Sequence, residues 1–103
     1  MGPAFYIDPK SITASLGETV MFSCAAHGAS HSNITWLKDG TSLTNTSARM
    51  NYLNTQQSSE LHIISVSETD IGKYSCLAAI GSLQVFSREA ELSLKGKKIV
   101  KQG

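Results

Sequence analysis

Two cysteines and one tryptophan constrain this chain more than any other residues. Cys24 and Cys76 lie 52 residues apart, and Trp36 follows the first cysteine by twelve positions. Each of the three falls on the apolar side of a run in which apolar and polar residues alternate, which predicts that all three are buried in β-structure. Buried cysteines are either bonded to each other or free, and the spacing alone leaves both states open.

Alternating runs of this kind recur along the chain, with turn residues between them. The clearest runs are 20–25, 34–36, 61–63, 74–78 and 89–94. A period of two is typical of half-buried strands, and regular spacing predicts an all-β antiparallel sandwich or barrel of about eight short strands. Because Asp8-Pro9 interrupts the first run, we predict an edge strand with a break there.

The stretch that ends at the second cysteine carries a specific motif. Asp70-Ile71-Gly72-Lys73-Tyr74-Ser75-Cys76 matches the pattern D-x-G-x-Y-x-C. With this motif and stretches 17–20, 34–40 and 59–63, residues 4–95 resemble an intermediate-set (I-set) immunoglobulin domain. The resemblance implies two antiparallel sheets, a Cys24–Cys76 bond between strands B and F, and Trp36 of strand C packed against that bond. We take residues 1–3 as an extension introduced for expression and residues 96–103 as a Lys-rich C-terminal linker.

The resemblance also assigns structural roles near the E–F corner. It implies that the Tyr74 hydroxyl turns back to the main chain near Asp70, while Gly72 suits the tight turn. It implies as well that Arg49, at the start of strand D, pairs with Asp70. The alternative is that this Asp and Arg are simply solvated.

Two loops depart from the I-set pattern. Residues 28–33 lack the Pro-x-Pro common between strands B and C, and residues 79–86 lack the Asn-x-x-Gly common between F and G. Both features are common in the giant muscle proteins, so the departures weaken that assignment. The second loop is more similar to N-terminal domains of guidance molecules of the netrin-receptor and Hedgehog-coreceptor type.

Charge is distributed unevenly, although the net charge is only +1. Four of the nine basic residues, Lys95, Lys97, Lys98 and Lys101, lie in the last nine positions, which leaves five basic and eight acidic residues before them. A body of that sign is poorly suited to phosphate backbones, so we expect no nucleic-acid partner. We interpret the tail as a solvated linker, with heparan sulfate or an acidic membrane surface as the alternative. No apolar run approaches the roughly 20 residues of a membrane span.

Two sequons and one apolar loop are the candidate functional features. Asn33-Ile34-Thr35 and Asn45-Thr46-Ser47 are N-glycosylation sequons in predicted loops. They favour an extracellular parent protein, but the chain is rich in Ser and Thr, so chance matches are the alternative. Where an F–G turn is expected, the chain has four apolar residues that we predict as a binding surface: Ile80, Leu83, Val85 and Phe86. The alternative is that Leu83 and Phe86 pack on strand C or in the core.

The remaining polar residues do not indicate a metal site, a catalytic site or a phosphate-binding site. His27 and His31 share one loop region and His62 is predicted on the opposite sheet, so the three do not converge as metal ligands must. The sequence has neither a Gly-x-Ser-x-Gly nucleophile motif nor a phosphate-binding glycine loop. We therefore predict no metal, no cofactor and no enzymatic activity.

Three functions fit these observations. The first is an extracellular recognition module of a cell-surface receptor or adhesion protein, binding a protein ligand or receptor through the C–F–G sheet face or the F–G loop. The second is an intracellular spacer of the muscle-scaffold kind in the cytoplasmic sarcomere, without disulfide or glycans. The third is an extracellular spacer with no ligand. Homophilic contact through strand edges and the apolar loop is open as well, and nothing in the residues favours it over a foreign ligand.

Overall fold

The structure, a computed structural model, describes residues 5–30, 33–43 and 49–96. Residues 1–4, residues 97–103 of the predicted linker, His31 and Asn45 lie outside the described residues. Within the described part the chain forms a turn of 3-10 helix at Glu68–Asp70 and ten strands: β1 (Phe5–Ile7), β2 (Ile12–Ala14), β3 (Val20–Ala26), β4 (Ile34–Lys38), β5 (Thr41–Ser42), β6 (Met50–Asn54), β7 (Ser59–Ile63), β8 (Gly72–Ile80), β9 (Leu83–Phe86) and β10 (Ala90–Leu94).

The strands form two sheets packed face to face. One sheet has the order β1-β3-β7-β6, and the other has the order β2-β10-β8-β4-β5 with β9 paired to β8. In the letters of the immunoglobulin sandwich, β3, β4 and β8 are strands B, C and F, and β9 and β10 together form strand G. This arrangement confirms the predicted all-β sandwich. The sequence predicts about eight strands and the described residues form ten, because strands A and G are each divided into two.

The division of the first strand differs from the prediction. The sequence predicts one edge strand with a break, whereas the structure has two edge strands on different sheets. β1 runs antiparallel to β3, and β2 runs parallel to β10. The chain crosses between the sheets at Asp8-Pro9, where proline has no N–H to offer a ladder. The Asp8 carboxylate accepts a hydrogen bond from the main-chain N–H of Arg88 at 3.0 Å, which ties the crossing to strand G.

Alternate residues of the facing strands form the core. The Phe22 ring, from the first sheet, stacks on the Tyr74 ring of the second, with centroids 5.0 Å apart. Cys24 and Cys76 are bonded to each other, with their Cα atoms 6.6 Å apart, so the predicted disulfide is confirmed. The Trp36 indole is 2% exposed. Its Nε1–H donates to the buried Ser59 hydroxyl at 3.2 Å, which satisfies the donor inside the core.

The predicted loop at residues 80–86 is mostly strand. β8 extends to Ile80, a turn follows at Gly81-Ser82, and β9 begins at Leu83. Gly81 has φ +61°, a conformation that glycine adopts without the steric cost of a side chain. Two central residues are enough to join antiparallel strands, so the apolar residues on either side continue the ladder instead of forming a loop.

Gly72 has a different role from the predicted one. Its φ is not in the left-handed region, so the turn does not require glycine there. A Cβ atom at this position would lie 2.9 Å from the Asp39 Oδ2 atom and 3.0 Å from the Lys38 Cε atom. Asp39 Oδ1 accepts the main-chain N–H of Lys73 at 2.9 Å. Glycine is therefore explained by this close approach of Asp39 to the main chain.

Candidate recognition surface

The outward side of strands β4, β8 and β9 forms a continuous surface. Trp36 and Cys76 are paired and point into the core, so the neighbouring pair Thr35 and Leu77 points outward. Leu77 is paired in turn with Phe86 on β9. Since directly paired residues of antiparallel strands share a face, Thr35, Leu77 and Phe86 form one row across three strands.

A second row lies above the first, toward the β8–β9 turn. It consists of Ala79 on β8 and its partner Gln84 on β9. We call Thr35, Leu77, Ala79, Gln84 and Phe86 together the recognition patch, and the end of the sandwich with the β8–β9 turn its upper end. Four of the five are exposed, and Leu77 is partly exposed.

The recognition patch combines an exposed aromatic side chain with an absence of charged residues. The Phe86 side chain is 62% exposed, the highest value among the large apolar side chains that the structure describes. Residues 77–87 contain no Asp, Glu, Lys, Arg or His. Depletion of charge around an aromatic residue is the composition found at the centre of protein–protein interfaces. The patch therefore has the chemistry of a protein-binding surface.

The four predicted binding residues divide between the two sides of the β8–β9 hairpin. Phe86 lies on the recognition patch, and Leu83, next to the turn, is 54% exposed. Ile80 and Val85 belong to the inward register and are only partly exposed, and Ile80 packs against the core cluster. Leu83 is paired with Ile80 and so shares its inward register, but it is exposed because it lies beside the turn; of the four residues, only Phe86 lies on the outward face.

The opposite face of the sandwich has a different composition. On β7 the His62 ring and the Glu60 carboxylate are 2.9 Å apart, and both point outward. Their neighbours on this face include Met21, which is paired with His62, and Leu53, which is paired with Glu60. Leu53 is 50% exposed, so this face offers an apolar side chain comparable to Phe86 but beside ionisable groups.

The lower end of the sandwich is closed by the Asp70 corner. The Tyr74 hydroxyl donates to the main-chain oxygen of Asp70 at 2.6 Å, with the phenol fully buried. Arg49 donates to both carboxylate oxygens of Asp70, at 2.8 Å and 3.1 Å. The same guanidinium reaches the main-chain oxygens of Ile64 and Ser65. The corner therefore joins the E–F connection to the start of β6.

Electrostatics at the corner follow from these contacts. Burial raises the pKa of Asp70, but the hydrogen bond and charge of Arg49 and the Ser67 main-chain N–H outweigh it and hold that pKa below its ordinary value. Burial, and then the Asp70 and Asp39 carboxylates, raise the pKa of the Tyr74 phenol far above its ordinary value. Sequence reasoning missed Ser67, although a Ser three residues before an Asp is a capping signal.

Of the two sequons, the structure describes one. Asn33 is exposed immediately before β4, and its main-chain N–H donates to the Ser30 oxygen at 2.9 Å. The glycosylation prediction at Asn45 falls outside the described residues. Asn33 precedes Ile34, which is paired with Ala78. A glycan there would therefore lie at the upper end of the sandwich.

The histidines that the structure describes lie apart. The His27 ring stacks on the exposed Tyr6 ring, with centroids 4.3 Å apart, whereas His62 lies on β7. In the described part of the chain, no three His, Cys, Asp or Glu side chains are grouped in a way that could hold a metal ion. Residues 5–30, 33–43 and 49–96 include no helix long and apolar enough to cross a membrane.

Comparison with known proteins identifies the family. The sequence model of the immunoglobulin I-set domain matches residues 3–94. The chain belongs to the I-set immunoglobulin family. Its sandwich superposes with a TM-score of 0.79, at 28% identity, on the N-terminal Ig1-2 module of the Drosophila receptor protein tyrosine phosphatase DLAR, covering 91% of this chain and 49% of that one. A chimeric titin Z1Z2 structure matches at 26% identity with a TM-score of 0.76, covering 90% of this chain and 93% of that one.

Curated relatives are much longer than this I-set domain. Over 94 residues it is 31% identical to peroxidasin homolog pxn-1 of Caenorhabditis elegans. This match covers 91% of the chain but only 7% of that protein. Over 99 residues it is 30% identical to human Kin of IRRE-like protein 3, covering 96% of the chain and 11% of that protein. The match is thus to one domain of each relative. I-set domains are generally non-catalytic.

Proposed function

We propose that this I-set domain is a recognition module of an extracellular receptor or adhesion protein, and that a protein partner binds the recognition patch. The observation that carries the proposal is Phe86, an aromatic side chain 62% exposed in an uncharged row with Thr35 and Leu77. A folded domain gains nothing in stability from exposing such a ring, whereas a partner that covers it gains its transfer from water.

The energy available at the patch is enough for a binding hot spot. Covering an exposed Phe side chain is worth about 2 kcal/mol, which corresponds to a factor of roughly 30 in affinity. Aromatic anchors at the centre of an interface commonly dominate binding in this way. Leu83 is exposed beside the turn but lies on the other side of the hairpin from Phe86, so we expect it to contribute less to this contact.

The cysteines support the extracellular compartment in this proposal. Disulfides persist in oxidising compartments, and the Cys24–Cys76 bond joins the two sheets of the core. The exposed Asn33 sequon supports the same compartment. The likeness to the titin Z1Z2 structure favours the second candidate, an intracellular spacer. Intact mass of protein secreted from animal cells separates the two, since the extracellular candidate requires a two-hydrogen loss for the disulfide and hexosamine on Asn33 or Asn45.

Binding through the patch is tested with two matched substitutions. We expect Phe86→Asp to abolish capture of the domain by a partner selected from an array of extracellular proteins. Leu53→Asp is the control, because Leu53 is also apolar and exposed but lies on the opposite face. Both variants are expected to keep the melting temperature of the parent chain. Equal binding by the parent chain and Phe86→Asp would end the proposal for this face.

A further inference from the structure

Strand β9 leaves one side of its main chain open. The other half of strand G, β10, is covered by β2, but in the described residues β9 pairs with β8 alone. β1 is not available to cover it, because the chain before Asp8-Pro9 belongs to the other sheet. Gln84 and Phe86 are exposed. Among the residues that the structure describes, the upper half of strand G is therefore a sheet edge with no neighbouring strand on its outer side.

The pairing pattern shows which main-chain groups this edge presents. The Ser87 N–H donates to the Cys76 oxygen at 2.8 Å, and the Cys76 N–H donates to the Ser87 Oγ atom at 2.8 Å, so the main-chain groups of residues 76 and 87 face each other at a hydrogen-bonded position of the ladder. Bonded and non-bonded pairs alternate along an antiparallel ladder. Ala78 with Val85 is consequently a bonded pair, and so is Ile80 with Leu83. The N–H and C=O groups of Gln84 and Phe86 therefore point away from β8, toward the open side.

These groups are self-complementary. We propose that β9 pairs antiparallel with β9 of a second copy, about a twofold axis at Val85, so that the two six-stranded sheets become continuous. In this register Gln84 lies opposite Phe86 of the second copy, and Phe86 lies opposite Gln84 of the second copy. Each of these two pairs makes two main-chain hydrogen bonds, four in all. Any other register about a twofold axis leaves the main-chain groups of Gln84 or of Phe86 without a partner among the outward groups of β9 in the second copy.

Charge and sequence favour a second copy as the occupant. Identical residues face each other near a twofold axis, so a charged edge repels itself. Residues 77–87 have no charged residue, and β9 has no proline. Lysine, proline and bulges are the usual protection of an edge against pairing. Three of the other edge strands are less suited: β5 has two residues, and Pro9 and Lys10 lie between the three-residue strands β1 and β2. The remaining edge, β6 (Met50–Asn54), is also uncharged and has no proline, so the substitutions below are placed on β9 and separate the two edges.

This inference goes beyond the recognition patch and can fail independently of it. The patch uses side chains on the face of the sheet, whereas edge pairing uses main-chain atoms. Gln84→Pro removes one outward N–H and leaves the bonds between β8 and β9 in place. Gln84→Ala is the matched control, since it removes the same side chain but keeps the N–H.

The first measurement is sedimentation equilibrium of the full chain over a dilution series. We expect the average molar mass to rise toward twice that of one chain for the parent and for Gln84→Ala. Gln84→Pro is expected to stay at the mass of one chain while its melting temperature remains close to that of Gln84→Ala. A parent chain that is monomeric at the highest concentration overturns the proposal, as does a Gln84→Pro variant that associates like the parent.

A second measurement holds even if the proline variant folds poorly. At the twofold axis the two copies of residue 85 form a non-bonded pair with Cα atoms about 4.5 Å apart, within the range of a disulfide. We expect Val85→Cys to oxidise to a covalent dimer. Leu83→Cys is the control, because residue 83 is more exposed but faces Ser87 of the second copy. Faster cross-linking of Leu83→Cys overturns the register.

Hydrogen exchange of the same two amides distinguishes the other occupants. We expect the Gln84 and Phe86 amides to exchange freely in dilute solution and to become protected as the chain associates. If both amides are protected at every dilution, another segment of the same chain covers the edge. If neither amide is protected at any concentration, the edge is available to a strand of a different protein. Either result contradicts self-pairing.

Discussion

Removing one buried hydroxyl group tests how the Asp70 corner holds the sandwich together. Tyr74→Phe deletes only the oxygen that donates to the Asp70 main-chain oxygen at 2.6 Å. The ring is fully buried and stacks on Phe22. Phenylalanine keeps this packing, so the substitution isolates the hydrogen bond.

The expected cost is that of leaving a buried acceptor without its donor. The Asp70 oxygen loses its donor in a site where the phenol has excluded water, and such a loss costs about 1 to 3 kcal/mol, more than the net value of about 1 kcal/mol for an average hydrogen bond. We therefore expect Tyr74→Phe to lower the free energy of unfolding by about 2.5 kcal/mol, and the melting temperature by roughly 10 to 20 °C for a domain of this size.

Urea unfolding followed by tryptophan fluorescence measures this difference, since Trp36 is the single tryptophan. Tyr52→Phe is the matched control. Its hydroxyl also donates to a main-chain oxygen, that of Leu43, but the side chain is 38% exposed and water can replace the bond. We expect the control to cost less than about 0.5 kcal/mol. If Tyr74→Phe costs no more than Tyr52→Phe, the corner is not the clamp that its geometry indicates.

Two further predictions concern the same end of the molecule. Because the pKa of Asp70 is lowered in the folded chain, its contribution to stability should be complete above the ordinary value of 3.8 and should be lost as the pH falls through the lower, folded-state pKa. Unfolding free energies measured between neutral and strongly acidic pH should therefore fall less steeply for Asp70→Asn than for the parent chain; identical slopes would contradict the assignment. Gly72→Ala should destabilise the fold by about 1 kcal/mol, because the new Cβ displaces Asp39 from the Lys73 N–H. Thermal unfolding checks this, and a melting temperature equal to that of the parent chain would show that Asp39 moves without loss.

The strands in which apolar and polar residues alternate could be predicted from the sequence. Alternation placed Cys24, Trp36 and Cys76 on inward positions, and the sheets of the structure bring all three together in the core. The resemblance to the I-set family supplied the pairing of the cysteines and the partners of Tyr74 and Asp70. Ser59, which accepts the indole N–H, could not be found this way, since a serine at an inward strand position gives no signal of its partner.

The β8–β9 hairpin shows why the candidate site was predicted only in outline. Apolar residues between two strands suggested an exposed loop, whereas Gly81-Ser82 alone makes the turn. That dipeptide is a recognised signal for a two-residue hairpin, and it also fixes the register. Once the register is known, Phe86 is outward and Val85 is inward, because neighbouring residues of a strand point to opposite faces. The change of sheet at Asp8-Pro9 depends on packing between sheets, which alternation does not report.

Hydrogen exchange of the domain with and without its partner tests the central claim most directly. If the recognition patch is the binding surface, the amides of residues 34–37, 77–80 and 83–86 should exchange more slowly in the complex. Residues 21–23, 51–53 and 60–62 of the opposite face should exchange at unchanged rates. Protection confined to that opposite face would contradict the account.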